Sequence, residues 1–64
     1  MLNKYIFTIS NEEFDIFGLC EAMAKAIFIE ICEKYSSTKD EISKKYWNEI
    51  LDNILNNNYK LIKG

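Results

Sequence analysis

Few residues of this 64-residue chain could do chemistry, and their types exclude most enzymatic mechanisms. The sequence has no histidine and no arginine, so it lacks the commonest general base and the usual bidentate clamp for phosphate. Its only glycines, Gly18 and Gly64, cannot form a phosphate-binding loop. Cys20 and Cys32 fit small buried side chains in a reducing compartment better than a metal site. We therefore expect a protein that is not an enzyme and binds no metal or organic cofactor.

A group of acids near the N-terminus is the most distinctive charged feature. Glu12, Glu13, Asp15 and Glu21 are accompanied by a single lysine, Lys4, within the first 24 residues. Acids in the first turn of a helix are stabilised by its positive end, which is a purely structural explanation of Glu12, Glu13 and Asp15. Glu21 lies beyond that predicted turn and extends the acidic group. A surface of this charge could also bind a basic patch on another protein and imitate nucleic acid.

An adjacent aromatic pair, Tyr46 and Trp47, is the second candidate for a partner-binding site. Neighbours on a helix point about 100° apart, so one ring can pack in the core while the other stays partly exposed. Tryptophan and tyrosine dominate the hot spots of protein interfaces. The residues predicted to bind a partner are therefore Glu12, Glu13, Asp15, Glu21, Tyr46 and Trp47.

The first elements that must position these residues are a strand and a long helix. Aromatic and β-branched side chains alternate over residues 3–9, which predicts a short strand. Ser10 and Glu13 have the spacing of a capping box, which typically begins a helix. Apolar residues continue almost without interruption beyond it, so we predict a helix over about 11–35.

A second helix is predicted from another capping box, Thr38 and Glu41, and covers about 39–57. Residues 58–64 are compatible with either helix or strand. The single domain, residues 1–64, is thus predicted to be mainly α, an α+β chain in which one N-terminal strand precedes a two-helix hairpin.

This predicted fold needs cover from outside the chain. A helix over 11–35 would be apolar on nearly every side, and a lone strand would have two unpaired edges. The strand could pair with residues of the tail or with the same strand of a second copy. Together the two features predict a homo-oligomer, most simply a two-fold dimer, or a surface completed by a partner. The side chains expected at the interface between copies are Tyr5, Phe7, Phe17, Met23, Ile27, Phe28 and Ile31.

The net charge of −2 argues against binding nucleic acid through its phosphates. No apolar segment approaches the ~20 residues needed to span a bilayer, so we expect a cytoplasmic protein without a membrane partner. Abundant Ile, Asn and Lys are typical of an AT-rich genome, such as that of a low-GC bacterium or its phage. The favoured function is therefore a small oligomeric inhibitor, from a phage or mobile element, that binds a defence protein of the bacterial host.

Two other functions stay open from the sequence. An oligomer could sequester a nucleotide between its copies if Lys44, Lys45, Lys60 or Lys63 converged on one pocket. The predicted order of strand, helix and helix also resembles the ribbon-helix-helix architecture, in which paired strands of a dimer enter the DNA major groove. That resemblance implies a DNA-binding regulator.

Overall fold

A computed structural model describes all 64 residues of the chain, and it contains three strands and two helices. In chain order the elements are β1 (Asn3–Ile9), β2 (Glu12–Gly18), α1 (Glu21–Ser36), α2 (Glu41–Leu55) and β3 (Lys60–Lys63). The strands form one antiparallel sheet in the order β2-β1-β3. The chain is a small α+β fold, and the prediction of a mainly α protein with a single strand is wrong.

The segment predicted to begin a helix is a two-residue hairpin turn. Ile9 pairs with Glu12, so Ser10 and Asn11 alone connect β1 to β2. Their φ angles are 49° and 67°, the left-handed values of a type I′ turn, whose twist matches that of the flanking strands. The helix predicted over 11–35 is therefore a strand followed by a shorter helix.

β1 is the central strand of the sheet, with β2 on one side and β3 on the other. Both edges of β1 are thus paired within one chain. The undecided tail supplies β3, which pairs with β1 from Thr8↔Lys60 to Tyr5↔Lys63. Because β1 has a partner on each side, it gives no reason to expect a second copy.

The two helices cover one face of the sheet and form the hydrophobic core with it. The rings of Phe7 and Phe28 lie with centroids 5.1 Å apart at the centre of this core. Three residues predicted at an interface between copies, Tyr5, Phe7 and Phe28, are buried here and cannot contact a second copy while the fold is intact. The buried hydrophobic residues are Tyr5, Phe7, Ile9, Ile16, Ala24, Phe28, Cys32, Ile50 and Ile54.

The shorter α1 also weakens the second reason for expecting an oligomer. It buries Ala24, Phe28 and Cys32 against the chain's own sheet and second helix, so part of the cover it needs comes from within the chain. Two further predicted interface residues, Ile27 and Ile31, are partly buried against the core, whereas Phe17 and Met23 remain exposed.

Local contacts fix where the elements end. β2 ends at Gly18, where the absence of a side chain lets α1 pack closely: a Cβ there would lie 3.0 Å from the backbone nitrogen of Ala24, too close for an ordinary contact. α2 begins after Asp40, whose carboxylate accepts a hydrogen bond of 3.1 Å from the backbone N–H of Ile42. The predicted capping residue, Thr38, lies before this cap.

We expect Phe28→Ala to lower the free energy of unfolding by about 3–5 kcal/mol, because Phe28 is 1% exposed and its loss leaves a cavity between sheet and helix. Urea denaturation measures the change. Met23→Ala on the same helix is the control, because Met23 is 40% exposed. A cost below ~1 kcal/mol for Phe28→Ala would show that Phe28 is not packed in the core.

A substitution series at Asn11 tests the hairpin turn. With φ at 67°, Asn11→Gly should raise the free energy of unfolding by about 0.5–1 kcal/mol and Asn11→Ala should lower it. Asn48, exposed on α2, is the matched control, since a helix reverses the order and favours alanine over glycine. The same order at both positions in thermal denaturation would exclude the left-handed turn.

Candidate protein-binding surfaces

One face of the sheet is covered by neither helix, and we call it the open face. Antiparallel pairing places opposite residues on the same side, so the open face consists of rows of side chains that cross the strands. The central row joins Asp15, Ile6 and Ile62. The complete open face comprises Lys4, Ile6, Thr8, Glu13, Asp15, Phe17, Lys60 and Ile62.

Large apolar side chains are exposed on this face. Phe17 is 54% exposed and Ile62 is 59% exposed, on either side of the partly buried Ile6. Leu2 and Leu19, also exposed, extend the apolar area beyond the strand ends, where the side-chain amide of Asn3 donates to the carbonyl of Leu19 at 3.4 Å. Grouped apolar residues of this kind mark surfaces that bind other molecules.

The acids predicted to bind a partner are divided between three places. Glu13 and Asp15 lie on the open face, whereas Glu12 points toward α2. Glu21 alone occupies the first turn of a helix, where the positive end of the dipole stabilises an acid. The prediction that Glu12, Glu13 and Asp15 lie in the first turn of a helix is therefore wrong. The acid that does lie there is Glu21, which was expected further along the helix.

The predicted aromatic pair forms a cluster that ties α2 to β2. The hydroxyl of Tyr46 donates a short hydrogen bond to the Glu12 carboxylate. The partly buried Trp47 stacks on Tyr35 with centroids 5.1 Å apart and lies 6.2 Å from the ring of Phe14. The structure thus brings together three of the predicted partner-binding residues, in a role that stabilises the fold. Tyr35 and Phe14 complete the cluster, and no sequence spacing connects them to Trp47.

The hydrogen bond to Glu12 changes the acidity of Tyr46. It stabilises the neutral phenol, and together with partial burial and the negative charge of the carboxylate it raises the pKa of Tyr46 to about 12. The two cysteines also differ in their surroundings. Burial, with a smaller effect of the neighbouring Glu33, raises the pKa of the Cys32 thiol to about 11, whereas Cys20 is exposed at the start of α1, contrary to expectation.

The lysines that a nucleotide site would require lie on separate surfaces. Lys44 and Lys45 project from the outer side of α2 among acids that include Glu49. Lys60 instead lines a polar depression between the hairpin turn and the loop after α2. This depression is lined by Thr8, Ser10, Asn11, Asn53, Asn57, Asn58, Tyr59 and Lys60.

The amides of the polar depression largely bond to one another and to α1. The side chain of Asn58 donates to that of Asn53 at 2.6 Å, and the Lys25 ammonium donates to Asn57 at 2.6 Å. Asn57 has a φ of 56°, and the two residues of the hairpin turn on the opposite wall also have positive φ angles. Asn53, Asn57 and Asn58 thus fix the loop that leads from α2 into β3.

The structure contains neither a metal site nor a membrane-spanning helix, and comparison with known proteins finds no relative. No group of three or more cysteine, aspartate or glutamate side chains has a geometry that could hold a metal ion. Neither helix has the length and hydrophobicity required to cross a bilayer. Comparison with models of protein families, with characterised protein sequences and with solved structures finds no match to this chain.

The Tyr46–Glu12 bond predicts a pH dependence above neutrality. The folded state raises the pKa of Tyr46 from 10 to about 12, so the unfolded phenol ionises first and stability falls as pH rises through this range. The stability difference between the parent and Tyr46→Phe should therefore be largest below pH 10 and should narrow by pH 12. Urea denaturation across this range measures it.

Glu12→Gln is the control for that experiment. Without the charged acceptor, the effect of Tyr46→Phe should vary much less between pH 10 and 12. Equal narrowing in both backgrounds would show that Glu12 is not the cause.

Proposed function

We propose that this chain is a non-enzymatic protein-binding module whose open face contacts a basic partner. The observation that supports this is an uncovered apolar area around Phe17 and Ile62 beside two acids, Glu13 and Asp15, on the edge strand β2. Burial of the apolar area would supply affinity, and the charges would select the partner and accelerate its association.

The placement of charges favours approach from the β2 side. Glu13 and Asp15 lie on the outermost strand, whereas the lysines of the open face, Lys4 and Lys60, lie on β1 and β3. A basic surface would thus meet the acids at one margin of the sheet and avoid the lysines. Glu13 and Asp15 stabilise no helix end, and their carboxylates, unlike that of Glu12, have no hydrogen-bond partner within the fold, so no structural role competes with binding.

This surface is compatible with the inhibitor expected from the composition. A protein that binds nucleic acid carries a basic surface, which an acidic strand edge could occupy. We therefore propose, as the kind of partner, a nucleic-acid-binding protein of a bacterial host. The ribbon-helix-helix alternative has lost its basis, because the observed order of elements is a hairpin, two helices and a strand.

A homo-oligomer stays a prediction, although the features of the sequence from which it was predicted have found another explanation in the fold. The lone strand that motivated it is absent from the fold, and the chain's own sheet and second helix cover the buried side of α1. Of the side chains then assigned to the interface, Phe17 and Met23 are the ones exposed.

Binding of a host protein to the immobilised chain, measured in nuclease-treated bacterial lysate, tests the proposal. We expect Phe17→Ser to weaken binding of the captured protein, and Asp15→Lys to slow its association about five- to tenfold at low salt. Asp52→Lys is the matched control, because it makes the same charge change on the outer side of α2. Thermal denaturation confirms that each variant folds.

Equal association rates for the parent and Asp15→Lys would contradict a role for the open face. Retention of a small molecule in place of a protein would favour the ligand-sequestering function.

A further inference from the structure

The open face is too small to be a complete interface. Three strands of at most seven residues give a face about 14 Å wide and 23 Å long, or roughly 300 Å². A stable protein interface uses about 20–30 residues on each partner. The open face has only the eight residues named above. A partner on this face must therefore also use an adjoining surface, and the adjoining surface on the acidic side is the free edge of β2.

The register shows which backbone groups of β2 are free. The backbone N–H of Gly64 donates to the carbonyl of Lys4 at 2.8 Å, so Lys4 directs its backbone toward β3. Along a strand, successive residues direct their backbone N–H and C=O groups to opposite sides. The residues of β1 that bond to β2 are therefore those that alternate with Lys4, beginning at Asn3, which lies opposite Gly18. On β2 the alternate residues, Glu13, Asp15 and Phe17, consequently direct their backbone N–H and C=O groups away from the sheet.

The charges on this edge determine which strand could pair with it. Two antiparallel copies of β2 would bring Glu13 and Asp15 of one copy close to the same acids of the other, which is unfavourable. A strand with lysine or arginine opposite these positions would instead form favourable cross-strand pairs. The other free edge, that of β3, has four residues with a lysine at each end, so it is shorter and unsuited to a basic strand.

The flank of α1 adds an apolar strip above the same edge. α1 packs on β2, and Lys25 on one of its flanks reaches Asn57 and the ring of Tyr59, on the side of β3. At 100° per residue, Met23 and Ile27 lie on the opposite flank, and Met23 contacts the backbone N–H of Leu19 just after β2. A strand added to β2 would thus meet acids on the open face and apolar side chains on the helix face.

Building on the function proposed above, we propose that β2 binds an extended segment of its partner as a fourth strand. In this segment lysine or arginine alternates with apolar residues. The basic side chains lie on the open face beside Glu13 and Asp15, and the apolar ones contact the flank of α1 at Met23 and Ile27. The backbone groups of the segment pair with the free groups of β2, as in other complexes formed by strand addition.

A fluorescent peptide of about nine residues in which lysine and valine alternate is the probe, and fluorescence anisotropy measures its dissociation constant. A peptide with glutamate in place of lysine should not bind. Two further peptides carry N-methyl groups, one on the lysine amides and one on the valine amides. Since a paired strand directs only alternate amides toward its neighbour, one methylated peptide should lose binding and the other should retain it.

Two substitutions at one position separate the backbone from the charge. Glu13→Gln removes the charge alone and should weaken binding about two- to fivefold at low salt. Glu13→Pro also removes the outward N–H and should weaken it by a further factor of about ten. The N–H of Glu13 is not part of the pairing with β1, so proline is tolerable at this edge position, and thermal denaturation verifies the fold.

The possible results distinguish this proposal from the function on which it rests. Strand addition would be overturned if the lysine peptide did not bind. It would also be overturned if the two methylated peptides bound equally well and Glu13→Pro bound the lysine peptide as tightly as Glu13→Gln. If Asp15→Lys still slowed association of the captured host protein, the proposed function would stand without it. If a dimer of the parent chain were lost in Glu13→Pro, a second copy would be the strand partner and the basic segment would be excluded.

Discussion

The reversal of the chain at Ser10 and Asn11 determines what is buried everywhere else. Two consecutive left-handed residues fold β2 back onto β1, and this turns a stretch of apolar and acidic residues into a strand with two different sides. Phe14 and Ile16 then face the helices, while Glu13, Asp15 and Phe17 face away. Without this turn the same residues would continue into α1, and the sheet would have neither its acidic edge nor its open face.

The sequence allowed parts of this fold to be predicted because some patterns have a single interpretation. Strict alternation of aromatic and β-branched residues identified β1 over Asn3–Ile9, and a stripe of apolar residues identified α2. β2 was missed for two physical reasons. Glycine usually marks a turn with consecutive left-handed residues, and this turn contains none. Ser10 and Glu13 also have the spacing of a helix capping box. β3 was left open because four residues are too few to show a period.

The candidate site shows the same division between residue types and their placement. The acids near the N-terminus and the aromatic pair could be selected from composition and spacing alone. Their environments could not, because Glu12 is 34 residues from the Tyr46 hydroxyl to which it bonds. Because the helix was predicted to start too early, three acids were placed at the positive end of its dipole. In the sheet, the alternation of side chains along β2 puts Glu12 on one face and Glu13 and Asp15 on the other. The open face depends on the order β2-β1-β3, which joins residues from both ends of the chain.

The contrast between the two cysteines has a practical consequence. Cys20 is exposed where β2 passes into α1, close to the apolar margin of the open face, whereas Cys32 is buried with its thiol held in the neutral, unreactive form. A maleimide dye would therefore attach selectively at Cys20 without any engineering, near enough to register an arriving partner. Modification of Cys32 would require the helices to separate from the sheet, so its rate would report how often the folded chain opens. The native sequence thus carries one probe for association and another for conformational opening.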